Sequence, residues 1–155
     1  MKIALLGDLG FFGRYSIENN SSVYEYFKEA ADYLSQFDYV IGNLELPLLK
    51  GGDSIGAKSA YLKSDPANVQ LLRHLNINIV TLANNHIFDF GLEGVESTIN
   101  LLDQNNIQHF GLNDQDVILE NDKVVLHGYC CYSTNPYGLS SVVDKLNIEK
   151  VSEKL

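Results

Sequence analysis

The stretch Ile77-Asn78-Ile79-Val80-Thr81-Leu82-Ala83-Asn84-Asn85-His86-Ile87-Phe88-Asp89-Phe90-Gly91 decides the fold. Residues Ile77–Leu82 form an apolar run of strand length. Three side chains that are costly to bury, Asn84, Asn85 and His86, follow it directly. Asp89 and Gly91 then lead into a helical period from about Leu92 to Gln104, with Val95, Ile99 and Leu102 on one face. A strand, a polar corner and a helix in this order form the repeating unit of an α/β protein.

The same unit recurs on the N-terminal side. Lys2–Gly7 reads as a buried strand and Leu9–Ser22 as a loop. A helix is expected over Ser22–Gln36, where Val23, Tyr26, Phe27, Ala30, Ala31 and Leu34 recur at spacings of three and four; Ser22 and Glu25 fit a capping box. Phe37–Gly42 is a second strand. Pro47 and Gly51-Gly52-Asp53 mark Leu46–Ser64 as a long surface excursion. Asp65-Pro66 announces a helix with Val69, Leu72 and Leu75 on its apolar face. On the C-terminal side, His109–Gly111 is a short strand. Val117–Leu119 and Lys123–Tyr129 flank Glu120-Asn121-Asp122 as a hairpin. Residues Asn147–Leu155 read as the opening of an amphipathic helix, with Ile148, Val151 and Leu155 on one face. The expected architecture is a layered α/β sandwich. Its sheet is mostly parallel with flanking helices and right-handed crossovers, and the hairpin is an antiparallel addition.

The chain has 155 residues, 45% of them hydrophobic, with a formal net charge of −9. This suits one domain spanning 1–155. No apolar run approaches the roughly 18 residues of a membrane span, and the start is too short and too quickly acidic for a signal peptide. A cytoplasmic location is expected. The acidic balance argues against nucleic acid as a partner. Cys130 and Cys131 are adjacent and offer neither a disulfide nor a zinc spacing.

Ligands of a parallel sheet bind beyond the carboxyl ends of its strands. The residues there are Asp8 after the first strand, Asn43 and Glu45 after the second, and Asn84, Asn85 and His86 after the third. Such a mixed oxygen and nitrogen set suits Mn²⁺, Fe²⁺ or Zn²⁺, or Mg²⁺ with water completing its shell. Each residue also has a plainer role. Asp8 can cap a turn, Asn43 can hold a loop, and Glu45 can be a solvated carboxylate. Asp89 is either an N-cap or the carboxylate that orients His86. His74, His109 and His127 read as structural. Gly7, Gly10 and Gly13 resemble a phosphate-cradling loop only loosely. Phe11, Phe12 and Tyr15 cover the sheet edge or wall a substrate.

Gly7-Asp8, Asp38-Tyr39-Val40-Ile41-Gly42-Asn43-Leu44-Glu45-Leu46-Pro47 and Thr81–Gly91, with Gly94, Thr98, Leu102 and Gly111, resemble the CapA family. These are bacterial capsule and poly-γ-glutamate synthesis proteins with a calcineurin-like metallophosphoesterase fold. The resemblance implies a two-metal hydrolase. Asp8 would ligate one ion, Asn43 or Glu45 would stand at a bridging position, Asn85 would ligate the second ion, and His86 would be the catalytic acid. Gly10 stands where wider phosphoesterases carry a ligating His, and nothing in 132–155 matches their later His-rich segments. The chain therefore reads as the N-terminal half of the fold, cut from a longer protein. The missing half, or a second copy, would dock on an exposed apolar sheet edge or helix face near the C-terminus. The expected substrate is a surface polymer or phosphoester. The alternatives are a non-catalytic partner or remnant with the same fold, and a small nucleotide- or sugar-binding domain.

Overall fold

A computed structural model describes residues 1–56, 58–119, 123–131 and 152. Four parallel strands lie side by side in chain order: β1 (Ile3–Leu9), β2 (Tyr39–Leu44), β3 (Ile79–Thr81) and β4 (Gln108–Phe110). Three helices connect them: α1 (Val23–Leu34), α2 (Val69–His74) and α3 (Gly91–Gln104). Every crossover steps to the next strand in the same direction. With one handedness throughout, all three helices must therefore fall on the same face of the sheet.

The core divides accordingly. Val40, Leu44, Val80 and Leu82 pack with the helix residues Val23, Leu34, Val69, Leu72, Val95 and Leu102. Ile41, Ile79 and Phe110 turn the other way. They meet Val117 and Leu119 from an antiparallel hairpin, β5 (Val117–Leu119) and β6 (Val124–Leu126). Strand alternation thus sends even-numbered residues of β2 to the helices and odd-numbered ones to the hairpin. The cluster under the hairpin covers β2, β3 and β4 and reaches β1 at Ile3, while Leu5 on β1 is 75% exposed.

The α/β class, the parallel sheet and the flanking helices agree with the sequence pattern, and are consistent with half of a metallophosphoesterase-like fold. Asp65 accepts a bond from the amide of Ala67 and Pro66 opens a 3-10 turn, after which α2 runs with Val69, Leu72 and Leu75 buried. Three local expectations fail. Ser22 precedes α1 but makes no capping bond with its side chain. Asn20 takes over, accepting the amide of Ser22 on its side chain and that of Val23 on its carbonyl. Residues 46–49 are not surface: Leu46, Leu48 and Leu49 are buried. A bridge from Leu48 to Ser64 closes the base of the long loop, and Thr98 Oγ1 accepts the amide of Leu48 from α3. A one-turn 3-10 helix starts at Gly13 in the first loop. The hairpin turn at 120–122 and the helical period of 147–155 lie outside the described residues, apart from Ser152.

Candidate functional site

A β-bulge builds the first part of the site. Leu5 pairs with Ile41, but Asp8 pairs with Asn43, so β1 spends three steps where β2 spends two. The extra residue flips the alternation of everything after it. Asp8 thereby joins the face of Asn43 and Thr81, which are themselves in register. Leu9 turns to the helix side, where it covers Gly42. A Cβ on Gly42 would come within 2.4 Å of the Leu9 side chain, which would have to swing aside to admit any larger residue.

The side chains then link across the strand ends. Asn43 Nδ2 donates to Asp8 Oδ1 at 2.8 Å. Asn84 Nδ2 donates to Asn43 Oδ1 at 3.1 Å and to the carbonyl of Leu44 at 2.9 Å. Asn84 Oδ1 accepts the amides of His86 and Ile87 at 3.0 and 2.8 Å. Buried Asn84 is therefore the hinge that ties the third strand end to the second. The sequence offered it only as one of three polar residues. Glu45 is anchored beside β1 through its amide, which donates to the carbonyl of Leu9.

The second part of the site centres on Asp89. Its side chain is 0% exposed. It does not cap α3, whose N-cap is Phe90 without a side-chain bond. Asp89 Oδ2 instead lies 2.8 Å from His86 Nδ1 and accepts the amide of Leu62 at 2.8 Å, while Oδ1 accepts Lys58 Nζ at 2.7 Å. Lys58 also donates to the carbonyl of Asn85. Of the two roles open for Asp89, the geometry is that of an orienting carboxylate. An ionised acceptor on Nδ1 places the imidazole proton there and leaves Nε2 free for other work. Lys58 was not legible as a site residue. It lies in a loop without periodicity, and only the demand of a buried carboxylate for a cation would have pointed to it.

The remaining histidines are elsewhere. His74 ends α2 and meets the ring of Tyr24 edge-on at 5.0 Å. His127 Nδ1 lies 2.8 Å from Asp116 Oδ1, beside the hairpin. His109 is buried in β4, with Nε2 3.6 Å from Asp103 Oδ1. Burial pushes its pKa below the ordinary imidazole value, and the Asp103 carboxylate opposes that shift only in part. In the first loop, Phe11 is buried in the core, whereas Phe12 is exposed.

Asp8, Asn43 and Asn84 are thus joined by hydrogen bonds, and Asn84 is joined through the backbone to His86, which pairs with Asp89. The side chains of Glu45 and Asn85 make no bond to another described residue. Among the described residues, no three His, Cys, Asp or Glu side chains gather closely enough to hold a metal ion. The oxygen donors that remain are two carboxylates and the Asn amides. Among the described residues, these oxygen atoms are the ones that could hold a divalent ion, with water completing its shell.

Comparison with known proteins places the chain in a family. The chain is 27% identical over 119 residues to the capsule biosynthesis protein CapA of Bacillus anthracis, covering 74% of this chain and 29% of the relative. It is 25% identical over 114 residues to the PGA biosynthesis protein CapA of Bacillus subtilis, covering 72% and 30% respectively. A probable polyglutamine synthesis accessory protein of Mycobacterium tuberculosis is 35% identical over 74 residues, or 48% of this chain and 20% of that protein. The chain spans less than a third of the length of these relatives. The family model for the bacterial capsule synthesis protein PGA_cap matches residues 2–127, which include every residue of the site. The chain belongs to the bacterial capsule synthesis protein (PGA_cap) family.

Proposed function

We propose that this chain carries part of a metal-assisted hydrolase site, phosphoesterase-like in its chemistry, that serves the synthesis of a bacterial surface polymer. Two relatives are named for capsule and PGA biosynthesis, which supports the biological setting. The single observation behind the chemistry is the His86 ring held by buried Asp89 beside the Asp8–Asn43–Asn84 chain. Asp8, Asn43, Glu45 and Asn85 are the residues that would hold the ion, through oxygen atoms. A divalent ion bound there would polarise a substrate oxygen and supply an activated water. His86 keeps one proton on Nδ1 against Asp89; with a second proton taken up on Nε2, it would give that Nε2 proton to a leaving oxygen and return to the neutral Nδ1–H ring, a role that contributes about 10²–10⁴-fold. Asn84 keeps the His86 backbone in place while this happens.

A non-catalytic reading of the same fold has one observation in its favour, the shortage of acidic and imidazole donors among the described residues. It predicts neither metal-dependent heat nor turnover. Calorimetric titration with Mn²⁺ and Zn²⁺ tests the site on wild type and on Asp8→Ala, Glu45→Ala and Asn85→Ala. Heat in the wild type that is lost in the variants supports it, and absence of metal-dependent heat removes it. His86→Ala should keep the heat and lose any hydrolysis of a model phosphate ester. Unchanged turnover in that variant would defeat the acid role.

A further inference from the structure

The long loop between β2 and α2 closes over the site from outside, and one residue in it touches both sides of His86. Lys58 donates from a single ammonium to Asp89 Oδ1 and to the carbonyl of Asn85. These residues stand three after and one before His86. The Lys58 side chain is 17% exposed and that of Asp89 is 0%. The loop is pinned at two further points: the amide of Ile55 donates to the carbonyl of Asp89, and the amide of Leu62 donates to its carboxylate. Tyr61 braces the segment from within, accepting the amide of Lys58 and donating to the carbonyl of Gly56 at 2.6 Å.

We propose that Lys58 is a positioning residue of the site, fixing the His86 ring in one tautomer by clamping Asp89 and the Asn85 carbonyl together. The inference rests on the His86 site described above, but not on any turnover there. A buried carboxylate with two hydrogen bonds and no cation is poorly compensated, and it relaxes by moving toward water or by taking up a proton. Either change removes the acceptor that keeps the His86 proton on Nδ1. The second arm of the ammonium matters equally. It holds the peptide between Asn85 and His86, so that carboxylate and ring cannot drift apart. An ion pair that merely closed the loop would use the carboxylate alone; the bond to Asn85 directs this one at His86. The long loop is thereby a working part of the site rather than a cover for it.

The test reads the tautomer directly and needs neither metal nor substrate. Long-range proton–nitrogen correlation spectra of the full chain would be recorded at a pH where imidazole is neutral, with His86 assigned by its loss in His86→Gln. Wild type should show the Nδ1–H form alone. Lys58→Met should give a mixture with the Nε2–H form, with circular dichroism unchanged. A folded Lys58→Met that retains the single Nδ1–H form overturns the proposal. Should Lys58→Met not fold, Lys58→Leu, which likewise removes every donor and the charge, is read in the same way. A measurement on wild type stands apart from both variants. In competitive acylation of the amines, Lys58 should be protected relative to exposed Lys28 and Lys50, and equal labelling would overturn the clamp. If the wild type proves inactive on every ester while Lys58→Met loses the tautomer lock, the hydrolase reading fails and the positioning role stands.

Discussion

Two clusters share the carboxyl edge of one sheet, and they are built on opposite terms. In the Asp8–Asn43–Asn84 chain, Asp8 is exposed and its links are amide hydrogen bonds between strand ends. In the Lys58–Asp89–His86 cluster the carboxylate is sealed from water and meets a cation, an imidazole and a backbone amide. A sealed charge must be satisfied by the protein that buries it. An open one can wait for a ligand. The sealed cluster therefore sets geometry. On the proposed reading, the open one, together with the side chains of Glu45 and Asn85, which make no bond to another described residue, is where an external ion or substrate would bind.

The sharpest way to break this contrast is to truncate one carboxylate in each cluster. Asp89→Ala strands a buried ammonium and frees the amide of Leu62, which should cost about 3–5 kcal/mol in denaturant unfolding. Asp8→Ala removes an exposed carboxylate and should stay within about 0.5 kcal/mol of wild type. Equal losses would show that the open cluster is also a structural element. Asn84→Ala probes the joint between the two. It orphans the amides of His86 and Ile87 and the carbonyl of Leu44, at about 1–3 kcal/mol for the buried groups. Chemical shifts of both Asp8 and His86 should move with it, and a perturbation confined to one strand end would separate the clusters.

The smallest effect lies outside the site and serves as its control. Burial holds the His109 imidazole below its ordinary value of 6.5, so the unfolded chain takes up that proton first. The unfolded state then binds more protons, and stability is lost as pH falls from about 6.5 through the lowered folded value. His109→Gln should flatten this acid-side slope relative to wild type, measured by thermal unfolding across that window. An unchanged slope would place the acid sensitivity elsewhere.

Much of this arrangement was legible before any coordinates. The periods of α1 and α3, the Asp65-Pro66 start and the apolar runs of the strands are local, and each carried its own signal. The placement of Asp8, Asn43, Asn84 and His86 at one edge followed from the parallel topology. What escaped depended on pairings between distant residues. The bulge that turns Asp8 toward Asn43 is a register event, and its one local mark in β1 is Gly7 inside the strand. Leu46, Leu48 and Leu49 were hidden by Pro47 and the glycines after them, although three leucines in four residues hinted at burial. Ser22 looked like a cap and lost that role to Asn20. Lys58 and Asp89 lie 31 residues apart and meet only when the loop folds back.

On the proposed reading, the strand ends offer a cation a place to bind. The most direct measurement is paramagnetic broadening of backbone amide resonances by substoichiometric Mn²⁺. Asp8, Asn43, Glu45 and Asn85 should broaden first, while the β5–β6 hairpin and His109 stay sharp, and Asp8→Ala should abolish the pattern. Broadening spread evenly over the acidic surface, or confined to residues away from these four, would contradict it.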